Sequence, residues 1–91
     1  MKVARKFIVS GEVQGVGFRF FSQRSAATHQ VVGYVKNLKD GRVEAFAEGK
    51  PEAVEAFKND ILVGPIYAKV TDLEETVLDI TNTYSSFRVE K

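Results

Sequence analysis

The stretch Gly11-Glu12-Val13-Gln14-Gly15-Val16-Gly17-Phe18-Arg19 decides how the rest of the chain is read. Upstream of it, Val3 to Ser10 is rich in β-branched and aromatic residues and reads as a strand. Downstream, Phe18 to His29 reads as a helix, with Phe18, Phe21, Ser22, Ser25 and Ala26 recurring at spacings of three and four as a buried stripe. The glycines of this stretch let the backbone turn tightly and approach a ligand closely. Residues 15 to 17 offer no side-chain oxygen to the start of the helix, so its first amides lack the usual Ser, Asp or Asn acceptor. Those amides, the positive end of the helix and Arg19 in the first turn form a candidate anion cradle. A glycine-rich connection whose amides face water would use the same residues, so the loop alone leaves both readings open.

Working outward, Val31 to Leu38 reads as a second strand, and Lys39-Asp40-Gly41-Arg42 supplies a turn with the Asp-Gly pair favoured in tight hairpins. Val43 to Glu48 then alternates, with Val43, Ala45 and Ala47 on one face and Glu44, Phe46 and Glu48 on the other. Pro51 and Glu52 open a second helix, in which Ala53, Val54, Phe57 and Ile61 recur at helical spacing until Gly64-Pro65 stops it. Extended segments are expected near residues 68–73 and 87–89, with Val77-Leu78-Asp79-Ile80 a weaker strand candidate. Phe7 and Val9 share one face of the first strand while Ile8 takes the other, which suits a central position in a sheet.

The order strand, helix, strand, strand, helix, strand predicts an α+β fold. Neither helix can bury its stripe alone, so both should pack on one face of a single mixed or antiparallel sheet. Right-handed crossovers turn that order into the ferredoxin-like, split β-α-β sandwich. The opposite sheet face, with Tyr34, Phe46 and charged residues, is expected to be largely open to solvent.

With 91 residues the chain is expected to form one domain, residues 1–91, with a single economical core. Thirteen basic against twelve acidic residues give a formal net charge of +1, which speaks against a polyanion-binding surface while permitting a local positive pocket. With no cysteine, thiol catalysis, thiolate-bound zinc and disulfides are excluded. The basic residues near Met1 precede no long apolar region, and no run approaches the roughly 20 apolar residues that span a bilayer. A cytoplasmic monomer without membrane or nucleic-acid partners is therefore expected.

Two motifs carry a resemblance that covers essentially the whole chain. Gly11-x-Val13-Gln14-Gly15-Val16-x-Phe18-Arg19 resembles the first motif of the acylphosphatase family. Gly33-Tyr34-Val35-Lys36-Asn37-x-x-x-Gly41-x-Val43, continuing to Gly49, resembles the second, and Gly64-Pro65 and Tyr84 to Val89 also fit. The resemblance implies hydrolysis of acyl phosphates, the mixed anhydrides of a carboxylic and a phosphoric acid, with no metal or cofactor. It assigns the phosphate cradle to the amides of Gln14, Gly15, Val16, Gly17, Phe18 and Arg19 and to the Arg19 guanidinium. It assigns positioning of the attacking water to Asn37.

Elementary chemistry agrees with those assignments. A phosphoryl dianion needs fixed donors where charge spreads in the transition state, and an arginine fork grips two oxygens as a lysine does not. Asn37 cannot act as a base, but its carbonyl oxygen can hold a water while its amide donates elsewhere. His29, the only histidine, lies eleven residues after Phe18, about 16 Å along the helix, and reads as a helix-end residue far from the cradle. The loop lacks the Lys-Ser/Thr ending of a nucleoside-triphosphate phosphate loop. The different-class alternative is a non-catalytic ferredoxin-like module binding a small anion or single-stranded RNA. For RNA, Tyr34 and Phe46 would serve as base-stacking aromatics. Glu44 and Glu48 beside Phe46 oppose that use, since they would repel a phosphate backbone.

Overall fold

The computed structural model describes all residues, Met1–Lys91. Strand β1 runs Val3–Glu12, helix α1 Phe18–His29, strand β2 Val32–Asn37, strand β3 Val43–Gly49 and helix α2 Pro51–Val63. Strands β4 (Lys69–Leu78) and β5 (Phe87–Glu90) complete a five-stranded sheet of order β4-β1-β3-β2-β5. All its pairings are antiparallel except β2 with β5, which is parallel, so the sheet is mixed. The architecture is the ferredoxin-like α+β sandwich, and β1 lies inside the sheet as its two-faced apolar pattern requires.

Both helices lie on the sheet face that carries Phe7, Val9, Val35, Val43, Ala45 and Ala47, all fully buried. From α2, Val54, Phe57 and Ile61 enter this core, and the Phe57 ring packs 6.2 Å from Phe7 and 5.4 Å from Phe87. From α1 come Phe18, Ser22, Ser25 and Ala26, whereas Phe21 is only half-buried and flanks the stripe. The small residues at positions 22, 25 and 26 let α1 approach closely. Ser22 meets the cost of burying its hydroxyl by donating to the Phe18 carbonyl at 2.8 Å.

Two expectations fail, both in the last third of the chain. The segments placed at residues 68–73 and 77–80 are a single strand, β4, paired with β1 from Glu12↔Lys69 to Ala4↔Leu78. Its side chains are mostly exposed because it is an edge strand. Main-chain ladder bonds, which leave no mark in residue type, hold it in place. The face opposite the helices is also not open. Phe46 is 4 % and Glu48 2 % exposed there, because the segment between β4 and β5 folds back across the sheet. Tyr84 packs 5.6 Å from Phe46 and 5.9 Å from Tyr34, and the Glu48 carboxylate accepts hydrogen bonds from the Thr81 and Asn82 amides. Burial pushes the Tyr34 phenol to a higher pKa than usual, reinforced by the hydrogen bond that it donates to Glu44.

Candidate active site

Strand alternation and register place the site. Asn37 ends β2 on the same face as Val35, the helix-facing side. The parallel register pairs Val35 with Val89, so Val89 of β5 points to that side as well. β1 ends at Glu12 and the chain reverses through residues 13–17 into α1, which starts above this corner of the sheet. Gly17 makes the final bend in the left-handed region (φ 78°), which favours glycine, and no side chain caps the helix there. Phe21 donates to the Gly17 carbonyl at 2.9 Å, the first helical bond, which leaves the preceding amides outside the helix ladder.

Around these groups lies a cavity of about 360 Å³. Gly15, Gly17, Phe18 and Arg19 line it from the loop and helix, and Asn37 lines it from β2. Arg19 is held from below: its Nη1 donates to the Glu90 carbonyl at 2.8 Å, a bond between residues 71 apart in sequence. The guanidinium is half-buried and has further N–H donors beyond the one bound to Glu90.

Gln14 and Val16 do not bring their side chains to the cavity. Val16 packs against the core. The Gln14 amide crosses to the β2–β3 turn, where its Nε2 donates to Leu38 O at 2.8 Å and to Arg42 O at 2.9 Å. This one side chain therefore ties the glycine-rich loop to the residue that follows Asn37. The turn itself is stiffened by Leu38 N to Arg42 O at 2.8 Å. It is also clipped by Asp40, whose carboxyl is held below its usual pKa chiefly by the Arg42 backbone N–H and then by the Arg42 side chain. His29 lies at the far end of α1, bonded to Asp60 of α2 at 2.9 Å, and takes no part in the site.

Two further contributors escape residue-type reasoning. Glu90 acts through its backbone carbonyl, which any residue could supply. Val89 is visible only once the β2–β5 register is known. Phe20 also lines the cavity and did leave a trace: it is an aromatic residue off the apolar stripe of its helix.

The family model for Acylphosphatase matches residues 5–89. The chain belongs to the acylphosphatase family. An acylphosphatase of Solibacter usitatus is 43 % identical over 86 residues, spanning 94 % of this chain and 88 % of that one. An acylphosphatase of Archaeoglobus fulgidus is 44 % identical over 87 residues, spanning 96 % and 97 %. The crystal structure of the acylphosphatase from Bacillus subtilis superposes with a TM-score of 0.94 at 38 % identity, covering 98 % of this chain and 99 % of that one. As an acylphosphatase, the protein is an enzyme that hydrolyses acyl phosphates and acts on a small-molecule substrate. No helix is long and apolar enough to cross a membrane.

Proposed function

We propose that this acylphosphatase works as a single-domain cytoplasmic monomer that splits acyl phosphates into a carboxylate and inorganic phosphate with its own backbone, one arginine and one asparagine. The observation that carries the site assignment is the meeting of Arg19, Asn37 and the glycine-rich loop on one cavity. In this reading the amides of residues 14 to 19 and the Arg19 fork surround the phosphoryl oxygens. They are fixed before the substrate arrives and therefore cost little reorganisation as charge develops. Asn37 orients water toward phosphorus, on the side opposite the acyl oxygen. The carboxylate is a good leaving group and needs no general acid, and a phosphoryl oxygen takes the proton of the attacking water.

One core shared by both helices and the sheet supports the single-domain reading. The buried state of Phe46, under Tyr84, argues against a base-stacking platform and so against a nucleic-acid partner. Two measurements test the site. Acetyl phosphate should be consumed with release of inorganic phosphate. In an NMR titration, inorganic phosphate should shift the amides of residues 14 to 19 before any others. Largest shifts around Tyr34 and Phe46 would move the anion site to the wrong face of the sheet.

A further inference from the structure

Glu48 is the one charged side chain that the fold buries. It sits on β3 between Ala4 of β1 and Val32 of β2, on the sheet face away from the helices. None of the ion pairs of the protein includes it. A buried carboxylate without a cation is costly, and hydrogen bonds must meet that cost. Here they come from one place: the Thr81 amide at 2.5 Å, the Asn82 amide at 3.4 Å and the Thr81 hydroxyl at 3.4 Å all donate to Oε2. Asn82 holds a left-handed backbone (φ 53°), where two successive amides converge on one oxygen as in an anion-binding nest. An apolar residue would fill this position at lower cost. What the carboxylate adds is a grip on the chain that passes over it.

The gripped segment, residues 79–86, is the whole connection from β4 to β5. Past the grip, Tyr84 lies against Tyr34 and Phe46, the Ser86 carbonyl accepts from the Gly33 amide at 3.2 Å, and β5 begins at the next residue. By itself β5 is poorly held. It has four residues, pairs on one side only and runs parallel to β2, so no tight turn fixes its register. Phe87 anchors its start in the core, and Glu90 at its other end carries the carbonyl that seats the Arg19 guanidinium. Slack in the connection lets β5 shift along β2 or lift from it, and a reacting group displaced by about 1 Å can lose about a hundredfold in rate.

We propose that Glu48 is a positioning residue for Arg19. From the opposite face of the sheet, its grip on Thr81 and Asn82 keeps the connection taut and β5 in place, and with β5 the carbonyl under the guanidinium. Glu48 itself does not line the cavity. The inference rests on the reading of Arg19 as the cation that grips phosphate.

The test measures acetyl phosphate turnover, phosphate inhibition and amide hydrogen exchange on Glu48→Ala, Glu48→Gln and Tyr84→Ala. Each is also combined with Arg19→Ala, and all are assayed well below their melting temperatures. Glu48→Ala should lower kcat/KM about tenfold or more and weaken phosphate inhibition with it, the scale of a misplaced reacting group. Tyr84→Ala loosens the same segment further along and should act in the same direction by less. Glu48→Gln keeps an acceptor oxygen and should stay within about threefold of the wild-type protein. On the Arg19→Ala background, Glu48→Ala should cost less than about twofold, because the group it positions is gone. The amides of β5 should exchange at least about fivefold faster in Glu48→Ala while those of β3 keep their protection. A folded Glu48→Ala with normal kcat/KM, or with the same loss whether or not Arg19 is present, makes Glu48 a structural residue only and overturns the inference. If Glu48→Ala does not fold, Tyr84→Ala and its combination with Arg19→Ala decide by the same two criteria. Arg19→Ala with wild-type turnover would instead overturn the phosphate cradle, and the inference with it.

Discussion

At its C-terminal end α1 is closed. The Gln30 amide reaches the Ala26 and Ala27 carbonyls and the Val31 amide reaches Ala26, so the last turn is satisfied by the chain that follows. Ser25 and His29 both bond to Asp60 Oδ2, at 2.8 and 2.9 Å, and clip the helix to α2. At its N-terminal end the same helix has no side-chain cap, a left-handed glycine and a cavity. One end contributes to stability by completing its hydrogen bonds. The other leaves its first amides outside the helix ladder, beside the cavity where the anion is proposed to bind. Substitutions at the two ends should accordingly fail in different assays, rate at one and unfolding at the other.

The largest effect is expected at Arg19. Arg19→Ala should lower the maximal rate at least about a hundredfold, equivalent to roughly 3 to 4 kcal/mol of lost transition-state stabilisation. The melting temperature should fall by less than about 8 °C, since one hydrogen bond to Glu90 is lost. Arg19→Lys should recover little, because the charge returns without the fork. A lysine variant of near-normal activity would show that charge alone suffices.

Next comes Asn37. Asn37→Ala should reduce kcat by about tenfold or more while phosphate inhibition hardly changes, the pattern of an interaction made mainly in the transition state. Asn37→Asp should weaken both, because it sets a negative charge beside the phosphoryl group. Normal turnover at saturation combined with lost phosphate affinity would make Asn37 a binding residue instead.

Gln14 belongs to the open end yet acts as a brace. Gln14→Ala removes two hydrogen bonds worth about 0.5 to 1.5 kcal/mol each, so its effect should show in both assays. If Gln14 works by fixing Asn37, the double variant with Asn37→Ala should lose clearly less than the product of the two single losses in kcat. Multiplicative losses would reduce Gln14 to a structural residue.

The smallest effect on rate belongs to the closed end. His29→Ala should change kcat/KM by less than about threefold, because it sits beyond the hydrogen-bond reach required of a general base. It should lower stability by no more than about 1 kcal/mol, as expected for a partly exposed pair. A large loss of rate with an unchanged melt would bring the two ends of α1 into one function.

At the open end the residues alone left two readings of the glycine-rich loop, and it was the resemblance of the two motifs that singled out Arg19 and Asn37. The β2–β3 hairpin was legible in the residues themselves: the Asp40-Gly41 turn fixes its register and Val43, Ala45 and Ala47 declare its buried face. β4 was not, because an edge strand satisfies its backbone on one side and leaves most of its side chains in water, so Glu74 to Leu78 show no alternation of burial. The cover over Phe46 was hidden as well. Tyr84 and Thr81 lie in an irregular segment whose contacts depend on where distant strands sit. What remained illegible in the site is of that kind too, above all the Glu90 carbonyl, a main-chain group with no residue signature.

The bond from Arg19 to Glu90 also orders events in time. β1, the glycine-rich loop and α1 are all made within the first third of the chain, and the loop can adopt its curvature as soon as they form. The guanidinium has no carbonyl to rest on until β5 has been synthesised and has added itself to the edge of β2. Pairings this distant in sequence carry a loop-closure cost and tend to form late. In the proposed reading of the site, a nascent chain has its glycine-rich loop long before Arg19 is seated, and full activity should wait for the last strand.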